Sequence, residues 1–214
     1  MQPVEEVAAA TVAGTELAHG WVLHALTDGA QEALREPVAA VPESLAGLLG
    51  PVHVYAAPFL ACQEGRDLVC SESPAGECHS SLWLERPDGL HLFISFGDTN
   101  PHDAGFELLA ALGELLAPRL SDQVFARYAQ LLARELREGA CGEIDEEALE
   151  AKEAAGEDYT TVSLASTLAE YMHSLWHDVE LRQGPEHLAG AFLRRRFELL
   201  AECFPPNAGF VLFR

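Results

Sequence analysis

The sequence predicts an α+β fold: a small, mostly antiparallel sheet over about residues 50–96, with 209–213 as a further strand, packed with an N-terminal helix and a helical C-terminal half. Two apolar runs, 82–85 and 90–96, flank Arg86-Pro87-Asp88-Gly89, and Pro-Asp-Gly between apolar segments signals a hairpin. From Asn100 to about Phe204 apolar residues recur at helical spacing. The 214 residues are 49% hydrophobic, enough for one large core or two small lobes without a disulfide or metal.

Taken in order, Val12, Leu17, Trp21, Val22, Leu26 and Leu34 stand at roughly helical spacing, so 4–49 reads as helix broken by Pro37 and Pro42. After Gly50-Pro51, Val52, Val54 and Tyr55 have strand character, and Leu68-Val69-Cys70 makes a short second strand. Asn100 is an N-cap with Pro101 at the first helical position, and Pro118 closes that helix. Ser121 opens the next, which carries Val124, Phe125, Tyr128, Leu131 and Leu132. Residues 143–158 hold eight acids and one lysine and must be largely solvated. Helices follow near 161–183 and 186–204, with Gly184-Pro185 as the turn of an αα-hairpin. The domain reading is an α+β part over 1–140, an acidic linker or helix over 141–158, and a helical hairpin over 159–214 packed on the first part, or one single domain overall.

A net charge of −21 repels nucleic-acid phosphates and anionic head groups, so neither nucleic acid nor membrane is expected as a partner. The longest uncharged run, 44–63, is interrupted by Gly47, Gly50, Pro51 and Pro58, which suit loops and strands better than a spanning helix. The first basic residue is Arg35, so the start lacks the positive region of a secretory signal. Five cysteines then read as reduced thiols, and the expected location is cytoplasmic. Lys152 stands alone against twelve arginines, which removes lysine-based mechanisms. Phosphate-loop, dinucleotide-fingerprint, Gly-x-Ser-x-Gly, His-Glu-x-x-His and Cys-x-x-Cys motifs are all absent.

The most pointed constellation is Glu170, His173, His177 and Glu180, which on a helix fall within an arc of about 80°, opposite a stripe of Leu164, Leu168, Tyr171, Met172, Leu175 and Val179. Two imidazoles one turn apart with a carboxylate suit zinc or iron, and a free carboxylate can act as base on a metal-bound water. A polar face opposite a core stripe is also what any surface helix presents. Glu16 and His19 repeat the Glu-x-x-His spacing of di-iron bundles, a match that chance alone supplies about once in a chain of this composition. Cys62, Cys70 and Cys78 with His79 make a Cys3His set, but a spacing of eight is too wide for a zinc knuckle and suits free thiols on strands. Asp98, His102 and Asp103 crowd a strand-to-helix loop, where they can bind a ligand or, with Asn100, turn the chain and cap the helix. Arg196 sits in an apolar arc, where a guanidinium snorkels out or pairs with a carboxylate, of the protein or of a ligand.

Ile94-Ser95-Phe96-Gly97, then Gly105-Phe106-Glu107-Leu108, then a Leu- and Ala-rich helix with Arg134, resemble the middle of suppressor-of-fused-like domains over 92–138. The resemblance implies an α+β binding domain that works by contacting other proteins, in a family that in bacteria includes toxin-neutralising immunity proteins. It carries over no catalytic residue.

Two functions are therefore expected to compete. The first is a non-catalytic protein-binding module, immunity- or adaptor-like, whose acidic surface engages a basic protein partner without a cofactor. The second is a metal-dependent hydrolase or oxidase using zinc or iron on the Glu170, His173, His177, Glu180 face. A third arrangement has the helices pack a homodimer.

Overall fold

The computed structural model describes residues 1–10, 13–76, 78–97, 100–154, 156, 158–178 and 184–212. The chain is α+β and forms two compact units, 1–39 with 49–111 and 40–48 with 112–214.

In the first unit, strands β1 (Gln2–Pro3), β5 (Phe59–Gln63), β6 (Arg66–Cys70) and β7 (Cys78–His79) make an antiparallel sheet in the order β1-β6-β5-β7. Strands β2 (Thr15–Glu16), β3 (Val22–Ala25), β4 (Val52–Ala57), β8 (Ser81–Arg86) and β9 (Gly89–Ser95) make a mixed sheet in the order β2-β3-β4-β9-β8. Here β4 runs parallel to both neighbours, and antiparallel pairs form the two edges. The expected hairpin is present as β8 and β9, with Gly89 at φ 139° completing its turn.

Strand alternation gives the mixed sheet two different faces. Leu23, Val52, Val54, Ala56, Leu90, Leu92 and Ile94 are all buried on one. On the other, Tyr55, Ala57 and Phe93 pack with Leu60 and with Val4, Val7 and Ala8 of α1 (Val4–Ala9).

The N-terminal stretch is less helical than its spacing predicts. Helices α1, α2 (Ala30–Ala40) and α3 (Glu43–Leu49) are present, but Val22–Ala25 is strand β3, and Pro37 lies inside α2 instead of ending it. A four-residue strand is too short for a period to declare itself, and parallel pairing with β4 decides its state. Glu16 lies on β2 and His19 has a left-handed backbone with φ 63°, so their Glu-x-x-His spacing shares no helix face. The expected strand at 209–213 is absent through Leu212, since Gly209 turns at φ 94° and the Phe210 amide donates to the Asn207 carbonyl. Phe213 lies outside the described residues.

The C-terminal half is helical: α4 (Pro101–Leu116), α5 (Asp122–Arg137), α6 (Glu146–Glu153), α7 (Tyr159–Trp176) and α8 (Gly190–Cys203). Ser121 and Asp145 cap α5 and α6 by accepting from the amides of Val124 and Ala148. Helix α7 stops earlier than its apolar period suggests, with His177 in extended backbone. Residues 177–178 and 184–189 are not helical, so the described part of the connection to α8 already exceeds a Gly184-Pro185 turn. Its 186–188 portion cannot be helical because it pairs with Glu143: the Glu143 amide donates to the Glu186 carbonyl and the Leu188 amide to the Glu143 carbonyl. Among the described residues, no helix is long and apolar enough to cross a membrane.

One ionic network organises the second unit. Arg196 on α8 is fully buried and pairs with protein carboxylates: its two terminal nitrogens donate to the two oxygens of Glu143 at 2.7 and 3.0 Å, and Nε donates to Glu135 at 2.9 Å. Tyr159 donates to Glu143, and Tyr128, Ser163 and Thr167 extend the polar cluster. Lys152 donates to the carbonyls of Ala140, Cys141 and Gly142 and stands 3.7 Å from Glu143. Burial pushes the Glu143 carboxyl up, but hydrogen bonds and charge from Arg196 outweigh it and hold the group below the usual range. For Glu135 burial wins, and its carboxyl is held above that range. Removing the guanidinium leaves Glu135 buried without its ion-pair partner and Glu143 with the Lys152 ammonium 3.7 Å away.

Three outcomes test this account. Arg196→Met is expected to destabilise the protein by about 3–5 kcal/mol in urea unfolding. The Glu143 contribution is complete above the unfolded carboxylate pKa of roughly 4.3 and is lost as pH falls through its lower folded value, whereas protonation of Glu135 on acidification favours the folded state. Urea midpoints are therefore expected to fall below about pH 4.5, with a shallower fall in Glu143→Gln; an unchanged slope removes Glu143 from the account. Finally, a Cβ at Gly113 on α4 meets the Ala165 carbonyl oxygen of α7 at 2.4 Å, while a Cβ at Gly47 on α3 meets nothing within 4 Å. Overpacking of about 1–3 kcal/mol exceeds the roughly 1 kcal/mol helix gain, so Gly113→Ala is expected to destabilise and Gly47→Ala to stabilise by about 0.5–1 kcal/mol.

Candidate metal centre

The parallel register of β3, β4 and β9 aligns two rows across the sheet: Val22, His53 and His91, then His24, Tyr55 and Phe93. Because all six lie on one face, the five rings among them stack. His53 lies over His91 at 4.7 Å between centroids, His24 over Tyr55 at 4.6 Å, and Tyr55 over Phe93 at 4.4 Å, each pair within 20° of parallel. Gly14 passes close above this face, where a Cβ would meet Val22 at 2.2 Å and His24 at 3.1 Å. Only glycine permits that approach, and His24 is buried.

Asp88 reaches the same place from the hairpin turn. His91 Nε2 and Asp88 Oδ1 are 3.1 Å apart, His91 Nδ1 and the Tyr55 hydroxyl 3.0 Å, and His53 Nδ1 and His24 Nε2 3.1 Å. One ligand atom each of His53, Asp88 and His91 lies within 4.8 Å of the other two. The His91 side chain is 1% exposed and that of Asp88 57%, so the cluster runs from the interior to the surface.

Burial lowers the His91 pKa below the ordinary imidazole value, with the Asp88 hydrogen bond and charge only partly restoring it. Asp88 is held below the usual carboxylate range, first by its hydrogen bond with His91. Burial, and then the Asp88 charge, raises the Tyr55 pKa. At neutral pH the set is a neutral imidazole, a carboxylate and a phenol, which fits Nε2–H of His91 donating to Asp88 and the Tyr55 hydroxyl donating to Nδ1. Arg86 Nε, 3.6 Å from Asp88 Oδ1, shares that carboxylate.

Two imidazoles and a carboxylate are the donor set of many zinc and non-haem iron sites. Each histidine is steadied at Nδ1, His91 by Tyr55 and His53 by His24, as outer partners orient metal ligands. That leaves Nε2 of His53 for an ion, and Nε2 of His91 on exchange of its hydrogen bond to Asp88.

Of the residues that the sequence singles out, Glu170 and His173 stand 3.4 Å apart on α7, His173 buried and Glu170 half-buried. His177 follows the helix end, and its ring lies parallel to that of His173 at 6.0 Å. Glu180 and Asp98 lie outside the described residues. His102 and Asp103 open α4, where the Asn100 side chain accepts from both their amides at 2.9 and 3.0 Å, and His102 Nδ1 is 3.6 Å from Asp103. That is the capping geometry. Cys62, Cys70 and Cys78 do not converge: their pairings put Cys62 on one face of the antiparallel sheet and Cys70 and Cys78 on the other.

His24, His53, Asp88 and His91 escaped the sequence reading. The available signal was His53-Val54-Tyr55 and His91-Leu92-Phe93, two strand segments with the same imidazole-x-aromatic alternation. Comparisons with protein-family models, curated proteins and solved structures find no match to this chain.

Proposed function

We propose that this chain is a metalloprotein that holds one divalent transition-metal ion between β4 and β9 through His53, His91 and Asp88, with metal-dependent hydrolysis as its reaction class. The observation that supports it is the convergence of two imidazoles and a carboxylate, with Nδ1 of both imidazoles hydrogen-bonded. Three protein donors leave a tetrahedral ion one position for water, the pattern of catalytic rather than closed structural zinc sites. Ligation through His91 Nε2 moves the ring's one proton to Nδ1, from where it donates to the Tyr55 hydroxyl oxygen, and protonation of the ring on acidification competes with the ion, so binding weakens as pH falls.

Chelator-stripped, untagged protein titrated with zinc is expected to lose one equivalent of binding on His53→Ala and on Asp88→Ala. Asp88 is largely exposed, so its variant keeps the fold and isolates the ligand role. Tyr55→Phe is expected to weaken zinc about 10–100-fold. Zinc uptake unchanged in both ligand variants would overturn the proposal.

A second reading, an acidic surface that engages a basic protein, is favoured by α6. Glu146, Glu147, Glu150 and Glu153 are exposed there while Ala148 is buried, and Lys152 is turned onto backbone carbonyls. Opposite fields speed encounter and are screened by salt. Co-purification with a basic partner is expected to weaken steeply between low and physiological salt and on replacing these four glutamates by glutamine. Capture that salt and charge removal leave intact counts against it.

A further inference from the structure

The antiparallel sheet of the first unit carries a second donor cluster. Cys62 on β5 pairs directly with Asp67 on β6, and His79 on β7 pairs with Leu60, two residues along β5. Pairing and alternation therefore put Cys62, Asp67 and His79 on one face. One ligand atom of each lies within 4.8 Å of the other two. All three residues are half-buried, and Cys62 is a free thiol. His79 Nε2 is shielded from water and has no hydrogen-bond partner among the described residues. A buried imidazole nitrogen left unsatisfied costs free energy, and a ligand that engages it recovers that cost.

We infer that Cys62, Asp67 and His79 form a second metal site, selective for zinc and independent of the His53, Asp88, His91 centre. Thiolate, imidazole and carboxylate are the three donor types that zinc accepts, at about 2.3, 2.0–2.1 and 2.0–2.2 Å. Tetrahedral geometry at such lengths spaces donors by roughly 3.5 Å, so atoms already within 4.8 Å need only side-chain adjustment. The soft thiolate favours zinc over magnesium or calcium, whose preferred ligands are oxygens. On binding, the Cys62 thiol gives up its proton to solvent and the sulfur lone pair goes to the ion; no redox change is involved. Every donor sits on a paired strand, so the ion bridges β6, β5 and β7 and fastens the two-residue strand β7 to the sheet.

Cobalt(II) replaces zinc as the spectroscopic probe, because thiolate ligation produces an intense near-ultraviolet charge-transfer band that nitrogen and oxygen ligands do not. Full-length Asp88→Ala protein, stripped of metal and titrated with cobalt, is expected to develop this band to one equivalent and to lose it on adding zinc. The band is expected to vanish in Asp88→Ala/Cys62→Ser and to weaken at least tenfold in apparent affinity in Asp88→Ala/His79→Gln. Zinc should also protect Cys62 from alkylation, read by peptide mass spectrometry, while exposed Cys78 and Cys141 stay reactive. Absence of the band in the folded Asp88→Ala protein, or its persistence after Cys62→Ser, overturns the inference. A band in Asp88→Ala protein together with unchanged zinc uptake at the first centre sinks the proposed function alone.

Discussion

The parallel register of β4 between β3 and β9 is the constraint from which the first unit follows. One alternation does two things: it sends Val52, Val54 and Ala56 into an apolar face with Leu90, Leu92 and Ile94, and it lines His53 and Tyr55 up with His91 and Phe93. A slip of one residue would exchange the faces, putting imidazoles into the apolar layer and valines among the polar rings. Core and candidate centre are therefore specified together. The chain cannot lose the stacked rings by misregister without also losing the hydrophobic gain that holds the sheet.

The second unit rests on a polar device instead. Buried ion pairs of this kind give little net stability over a well-packed apolar replacement, but losing one partner is severe. Arg196 draws α8, α5 and the Glu143 segment to one point, and every charge-bearing atom of the guanidinium has an acceptor. Oε1 of Glu135 alone in this network has no hydrogen-bond partner among the described residues, in keeping with the raised pKa of that carboxyl.

Much of the fold was legible in the chain. The hairpin announced itself through Pro87-Asp88-Gly89, and the C-terminal helices through spacing and through Ser121 as a cap. Legibility failed where pairing partners, remote in sequence, choose the state: β3 has too few residues to show a period, and the 186–188 segment leaves the helical pattern because Glu143 claims it. The candidate centre was hidden for the same reason. A helix brings i and i+3 together, so Glu170 and His173 stand out on inspection, whereas His24, His53 and His91 meet only after three strands separated by about thirty residues each have paired. The cysteines stand as their wide spacing led one to expect, as free thiols on strands, and alternation divides them between two faces.

Lys152 has a consequence for covalent regulation. It is the one lysine in the sequence, and its ammonium is engaged with three consecutive carbonyls beside Glu143. An acetyltransferase or ubiquitin ligase acting on side-chain amines would find no second target in these residues. Acylation there would remove the cation and its donors from the 140–142 corner at once, so a modification that elsewhere merely marks a surface would here loosen the fold.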